Sequence, residues 1–157
     1  MTEEKKPMTR SELEIIIKRR AAVLLIVLAA LVAINSFFKD GNSGRIMKDI
    51  IAANNQWAWY QAKNVRSVIY ETAGRPEDAQ RMKDDMQVIK AKAEALEAEQ
   101  KALSAKAPYY TYSAMLMQLG LVLSTAAILA VSMPLFYSGV AVGSFGVILF
   151  GIALFGV

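Results

Sequence analysis

Few side chains in this sequence could carry out chemistry. The chain contains no cysteine and no histidine, which excludes disulfides, thiolate metal sites, histidine general bases and histidine-ligated metals or haem. Asp84 and Asp85 come nearest to a catalytic pair, but adjacent residues on a helix point in different directions and imply no pocket. We therefore expect no catalytic residue, no cofactor and no metal, so that an enzyme is the weakest hypothesis.

The most distinctive local string runs from Asn54 to Lys63 and holds two tryptophans. On a helix Trp57 and Tyr60 are neighbours, whereas Trp59 points about 200° away from Trp57, so the seam of the hairpin cannot hold both tryptophans and one of them is expected to meet something outside the hairpin. Trp and Tyr are favoured anchors of protein interfaces. The string predicts a partner-binding patch formed by Trp57, Trp59, Tyr60, Gln61 and Lys63. The alternative is that both tryptophans lie partly buried under their own hairpin.

The charged residues are confined to one part of the chain. All 18 Lys and Arg and all 14 Asp and Glu lie between Glu3 and Lys106, and residues 107–157 carry no charge. The net charge of +4 is spread without a dense basic patch, so we expect no nucleic-acid partner. An uncharged tail of this length indicates two helices surrounded by membrane lipid.

Three segments are long and apolar enough to be transmembrane helices. We predict spans at 21–38, 112–133 and 140–157, with a tight turn at 134–139. Eighteen residues of helix extend about 27 Å, close to the thickness of the hydrocarbon core. For the first segment the alternative is a cleaved signal peptide, against which its long polar leader and its continuation to Phe38 both count.

Basic residues before the first span predict the orientation. Lys18, Arg19 and Arg20 lie directly before residue 21, and such a cluster keeps its end of a span in the cytoplasm. Residues 1–20 are then a cytoplasmic segment, whose Ser11 and Glu14 have the spacing of a helix-capping box. By parity, residues 39–111 lie on the extracytoplasmic side.

Residues 39–111 read as a soluble helical hairpin with arms at about 45–72 and 76–106. A hinge is predicted at 39–44, which contains two glycines, and Pro108 is expected to close the second arm. The second arm carries an unbroken heptad pattern, which predicts an antiparallel coiled coil; its members are Ala79, Met82, Met86, Ile89, Ala93, Leu96, Gln100 and Leu103. The matching stripe predicted on the first arm is Met47, Ile51, Asn54, Ala58, Gln61, Val65 and Val68. Because an isolated two-helix hairpin has little core, we also expect association with a copy or a partner.

Small residues mark one face of the later spans. Gly120 and Ser124 are four apart, as are Gly139 and Gly143, and Gly146 follows. Such spacing lets helix backbones approach closely in lipid. These residues could pack the three spans together or join them to a neighbouring protein. The polar span residues Asn35, Gln118, Ser124, Thr125 and Ser132 include no ionisable group, which argues against a pump or proton-coupled carrier.

The string Asn55–Lys63, followed by Val65, Arg66 and Tyr70, resembles the core of a bacterial membrane-protein family known as domain of unknown function 4337. The resemblance covers roughly residues 15–155. It implies one span, a helical hairpin and two closing spans in a bacterial inner membrane, and it implies no activity. Trp59 stands where many members of that family have Tyr or another aromatic residue.

Together these features predict an all-α membrane protein with three transmembrane helices and a long antiparallel coiled-coil hairpin. The expected function is that of a non-enzymatic accessory or scaffold subunit, multi-pass in the inner membrane. It would contact lipid and assemble with itself or with a larger membrane complex. The alternative function is an oligomeric channel or small-solute permeation protein, in which Gln118, Ser124, Thr125 and Ser132 would have to line a pore.

Overall fold

A computed structural model describes residues 9–156, which form three α-helices and, within that range, no strand. Helix α1 is Arg10–Thr72, α2 is Pro76–Ala130 and α3 is Met133–Phe155. The predicted all-α class is therefore confirmed. Each helix contains a segment that is long and apolar enough to cross a membrane, judged by length and composition.

The capping box of α1 begins at Thr9, two residues before the predicted one. The backbone N–H of Thr9 donates to Glu12 Oε2 at 2.9 Å, and the N–H of Glu12 donates back to Thr9 Oγ1 at 3.4 Å. This reciprocal pair satisfies two of the free N–H groups at a helix start. The bond from the Thr9 backbone holds the pKa of the Glu12 carboxyl below its ordinary value. The box predicted at Ser11 and Glu14 is wrong, and Glu14 pairs instead with Lys18 at 2.6 Å.

The hinge predicted at residues 39–44 is also wrong, because α1 remains helical from Arg10 to Thr72. Two glycines weaken a helix by about 1 kcal/mol each relative to alanine, but they remove no backbone hydrogen bond. A Cβ atom added at Gly41 or Gly44 would meet no other atom within 4 Å. Neither glycine is therefore needed for a close approach of another chain segment.

Helix α1 ends in a Schellman motif, whose two hydrogen bonds close the last turn of a helix. The N–H of Arg75 donates to the Tyr70 carbonyl at 2.9 Å, and the N–H of Gly74 donates to the Glu71 carbonyl at 3.1 Å. Gly74 has a φ of +71°, a left-handed conformation that glycine adopts at little cost. The Arg75 guanidinium lies 5.1 Å from the centre of the Tyr70 ring. Pro76 then opens α2, as the sequence predicts.

The helix end predicted at Pro108 and the turn predicted at 134–139 do not lie at those residues. Helix α2 continues through Pro108, at the cost of one backbone hydrogen bond. The turn predicted at 134–139 lies instead at Val131 and Ser132, where Val131 has a φ of +49° and the Ser132 N–H donates to the Ala127 carbonyl. Pro134 lies in the first turn of α3. Backbone N–H groups in that turn have no acceptor within the helix, so a proline there costs no helical hydrogen bond.

The chain divides into two compact units. Among the described residues, 9–39 together with 108–156 form the first, and Asp40–Ala107 form the second. In the first unit, parts of all three helices contribute to a cluster of Ala21, Ala127 and Phe136, and α2 and α3 also meet at Tyr110, Phe150 and Ala153.

The second unit is the helical hairpin. Its cross-arm contacts include Asn42 with Leu103, Arg45 with Glu99, Lys63 with Asp85 and Glu71 with Lys83. The partner number falls as the residue number rises, so the two arms run antiparallel.

Alanine substitutions at Gly44, within α1, and at Gly74, just after its end, are expected to have opposite effects on stability. Gly74→Ala forces a side chain into the left-handed region and should destabilise the protein by about 1 kcal/mol. Gly44→Ala adds a better helix former in open space and should stabilise it by up to about 1 kcal/mol. Thermal unfolding of both variants in detergent tests this. A stabilising Gly74→Ala or a destabilising Gly44→Ala would contradict the described backbone.

Candidate partner-binding surface of the hairpin

The first arm faces the second with a stripe that the sequence analysis missed. Nine buried or half-buried residues of the first arm follow each other in steps of four and three. We call them the inner stripe: Asn42, Ile46, Asp49, Ala53, Gln56, Tyr60, Lys63, Ser67 and Tyr70. Their heptad spacing was visible in the sequence, but most members are polar, so an apolar pattern search passes over them.

Polar contacts accompany this stripe. Asn42 Nδ2 donates to the Leu103 carbonyl at 3.0 Å, and Lys63 Nζ pairs with Asp85 Oδ2 at 2.6 Å. The Ser67 hydroxyl donates to the Asn64 carbonyl at 2.8 Å. Asp49 Oδ2 is buried and has no hydrogen-bond partner within the described residues. Directional bonds such as those of Asn42 and Lys63 fix the register of two helices while contributing little apolar burial.

The stripe predicted to face the second arm is wrong, because it points outward. Its members Met47, Ile51, Asn54, Ala58, Gln61, Val65 and Val68, here called the outer stripe, are all exposed. Members of the two stripes such as Asp49 and Ile51 are two residues apart and therefore lie about 160° apart around the helix axis. The second arm behaves as predicted, since every member of its heptad pattern is buried or half-buried.

The five residues of the predicted partner-binding patch do not share one surface. Trp57 is half-buried: its indole N–H donates to Glu97 Oε1 at 2.6 Å and its ring lies 5.6 Å from that of Tyr60. Tyr60 and Lys63 belong to the inner stripe, and Gln61 belongs to the outer one. Trp59 is 66% exposed and lines a groove between the arms.

This groove lies between the two arms of the hairpin. It encloses about 460 Å³ and is lined by Gln56, Trp59 and Lys63 of the first arm and Asp85, Val88, Ile89 and Lys92 of the second. A second depression beside it, of about 310 Å³, adds Ala62 and Arg66. Lys63 is paired with Asp85, whereas Arg66 and Lys92 form no ion pair within the described residues. The groove therefore joins an exposed indole to a positively charged rim.

The small residues of the spans lie where α2 and α3 touch. A Cβ atom added at Gly120 would be 2.9 Å from Gly143 Cα, and one at Gly139 would be 2.7 Å from Ser124 Oγ. A Cβ atom at Gly146 would be 2.9 Å from the Met117 backbone nitrogen. Helix α1 also reaches this contact, because a Cβ atom at Gly143 would be 2.9 Å from Leu28 Cδ1.

Buried polar groups supplement that packing. Asn35 is fully buried, and its Nδ2 donates to the Tyr110 carbonyl at 2.9 Å. The Ser113 hydroxyl donates across to the Gly146 carbonyl at 2.8 Å. Neither role was predicted from the sequence, because a single Asn or Ser on an apolar helix has no spacing that identifies its acceptor.

The polar residues proposed to line a pore are not brought to one surface. Ser124 is buried and donates to the Gly120 carbonyl of its own helix at 2.7 Å. Gln118 and Thr125 are exposed, and the Thr125 hydroxyl donates to the Leu121 carbonyl at 2.9 Å. Ser132 lies in the turn before α3. The basic residues Lys18, Arg19 and Arg20 are exposed on α1.

These features define an all-helical protein with three helices able to cross a membrane and an antiparallel hairpin of long arms. The chain belongs to the family described as domain of unknown function (DUF4337), which matches residues 17–79 and 72–156. No curated protein and no solved structure matches it. Family membership confirms the resemblance carried by the Asn55–Lys63 string and assigns no activity.

The contact between α2 and α3 makes Gly120 sensitive to substitution. Gly120→Ala places a methyl group against the Gly143 backbone and should destabilise the protein by about 1–3 kcal/mol, as overpacking does. Gly151→Ala is the matched control, since a Cβ atom there would meet nothing within 4 Å. Thermal unfolding in detergent should show a clear loss for Gly120→Ala alone. Equal stability of the two variants would rule out the close approach.

Proposed function

We propose that this protein is a multi-pass membrane protein without catalytic activity, whose coiled-coil hairpin assembles it with itself or with a larger membrane complex. The three apolar helices anchor it. The hairpin supplies the surface on which assembly takes place. The proposed setting is a bacterial inner membrane, with the N-terminus in the cytoplasm and the hairpin outside, as the basic cluster at residues 18–20 favours.

Exposed apolar side chains support membrane insertion of the first unit. Phe37, Val122 and Leu129 are 76%, 64% and 81% exposed, and no charged residue lies at 21–38 or 107–157. In water these surfaces would drive aggregation. Lipid tails would cover them at no cost, while the helices satisfy their own backbone groups.

The observation that carries the assembly role is Trp59. Its side chain is two-thirds exposed at the edge of a groove with a basic rim. A large exposed indole contributes little to a folded hairpin, but indoles are the commonest anchors of protein interfaces. Arg66 and Lys92, which have no ionic partner among the described residues, suit a partner segment that carries acidic side chains near an apolar one.

Replacement of Trp59 should weaken assembly without unfolding the hairpin. Truncation of an interface tryptophan commonly costs about 2 kcal/mol or more, which is roughly thirty-fold in the dissociation constant. The measurement is the size of the complexes in native gels after mild-detergent extraction of full-length Trp59→Ala from its own membranes, with helicity followed by circular dichroism.

Gln87→Ala is the control for that experiment, because Gln87 is exposed but does not line the groove. We expect smaller complexes only for Trp59→Ala, at unchanged helicity in both variants. Complexes of wild-type size in Trp59→Ala would remove the groove from the assembly surface, and a monomeric wild-type protein would refute the assembly role itself.

A further inference from the structure

We propose that the outer stripe is the docking surface for a second copy of this chain, whose first arm lies parallel to its own. This inference rests on the proposed assembly role and adds a second contact surface, whose partner is a copy of the same chain. The stripe consists of Met47, Ile51, Asn54, Ala58, Gln61, Val65 and Val68.

The outer stripe is mostly apolar, exposed and uncharged. Met47, Ile51 and Val65 are 58%, 54% and 59% exposed, and the chain has no charged residue at 50–62. The second arm has the opposite character, since its exposed positions include Lys83, Asp84, Lys90, Glu94, Glu97, Glu99 and Lys101. Water suits the charged face of the second arm, whereas two outer stripes, which carry no charge, can meet without like-charge repulsion between their members.

The spacing of the outer stripe matches a helical partner. Its members follow in steps of four and three over 47–68, which is about 32 Å of helix. A strict heptad pattern keeps one seam facing a supercoiled neighbour, and contact with lipid or with a flat surface does not require it. The second arm already uses its own heptad face against the inner stripe, so it cannot also cover this one.

Two carboxamides in the outer stripe favour pairing of like with like. Asn54 and Gln61 are seven residues apart and occupy equivalent heptad positions. In a parallel pair each would face the same residue of the second copy, and a carboxamide both donates and accepts hydrogen bonds. Copies inserted in one membrane have the same orientation relative to it, which also favours a parallel pair.

Gln118 points independently to a second copy. Its side chain is exposed on the predicted span 112–133 and has no hydrogen-bond partner within residues 9–156. A carboxamide exposed to lipid lacks the bonds that water would supply. Side chains of this kind associate membrane helices by bonding to one another across the contact.

The test uses single-cysteine variants, since the natural chain contains no cysteine. Ile51→Cys, Ala58→Cys and Val65→Cys place one thiol each along the outer stripe of the full chain in its membrane. Ala91→Cys and Ala98→Cys are controls at exposed positions of the second arm. After mild oxidation, we expect disulfide-linked dimers, at twice the chain mass of 17.2 kDa, at all three stripe positions. At both control positions we expect no dimer.

Crosslinking at none of the three stripe positions, or equally at the controls, would overturn this inference. Crosslinking at a single stripe position would overturn the parallel arrangement, because antiparallel arms bring only the residue at the two-fold axis against itself. Native gels of the same samples separate the two proposals. Complexes larger than one chain without stripe crosslinks would refute the second copy at this surface and leave the assembly role standing, whereas a monomer throughout would refute both.

Discussion

The hairpin depends on a polar contact between its two arms. In paired helices the positions that face the partner helix usually carry apolar residues. On the first arm five of these positions are occupied by Asn42, Asp49, Gln56, Lys63 and Ser67. Such side chains stabilise a contact only where their hydrogen bonds are made, so they select one register and penalise others. The bonds from Asn42 to Leu103 and from Lys63 to Asp85 meet that requirement. Because the polar stripe takes the inner position, the apolar stripe of the same helix is left facing outward.

The first unit is held together on a related principle with different groups. In the membrane that we propose for this unit, apolar side chains would gain little from contact with each other, so close backbone approach and hydrogen bonds would matter more. Glycines at residues 120, 143 and 146 permit that approach between α2 and α3. Asn35 and Ser113 add side-chain bonds to backbone carbonyls of another helix. Both units thus bury some small or polar residues between their helices, while apolar side chains such as Phe37 in the first unit and Ile51 in the second remain exposed.

The sequence predicted the features that follow from strong local signals. Each of the three helices contains an apolar segment, as expected, and the Gly74 turn before Pro76 and the heptad face of the second arm lie where expected. The predictions at Gly41 and Gly44 and at Pro108 failed because a long helix tolerates isolated unfavourable residues when tertiary contacts support it. The turn at Val131 was missed because valine rarely adopts a positive φ.

The first arm shows why a pattern alone was insufficient. It offers two heptad stripes about 160° apart, and hydrophobicity favours the wrong one for the contact between the arms. Only the positions of acceptors on the second arm, such as the Leu103 carbonyl and Asp85, decide in favour of the polar stripe. Those positions depend on the register of the hairpin and are not readable from either arm separately. For the same reason, the sequence predicted Trp59 and Lys63 as parts of a contact surface but not Val88 and Lys92, which line the groove from the other arm.

A disulfide formed within one chain tests most directly which stripe faces the second arm. Ala53 of the inner stripe and Ala93 of the second arm are both buried, whereas Ala58 of the outer stripe is exposed. In the cysteine-free background, the pair Ala53→Cys with Ala93→Cys should oxidise within a monomer, visible as a loss of free thiols without dimer formation. The pair Ala58→Cys with Ala93→Cys should form no disulfide within a monomer. Intramolecular oxidation of the second pair, with none in the first, would contradict the polar contact on which this account rests.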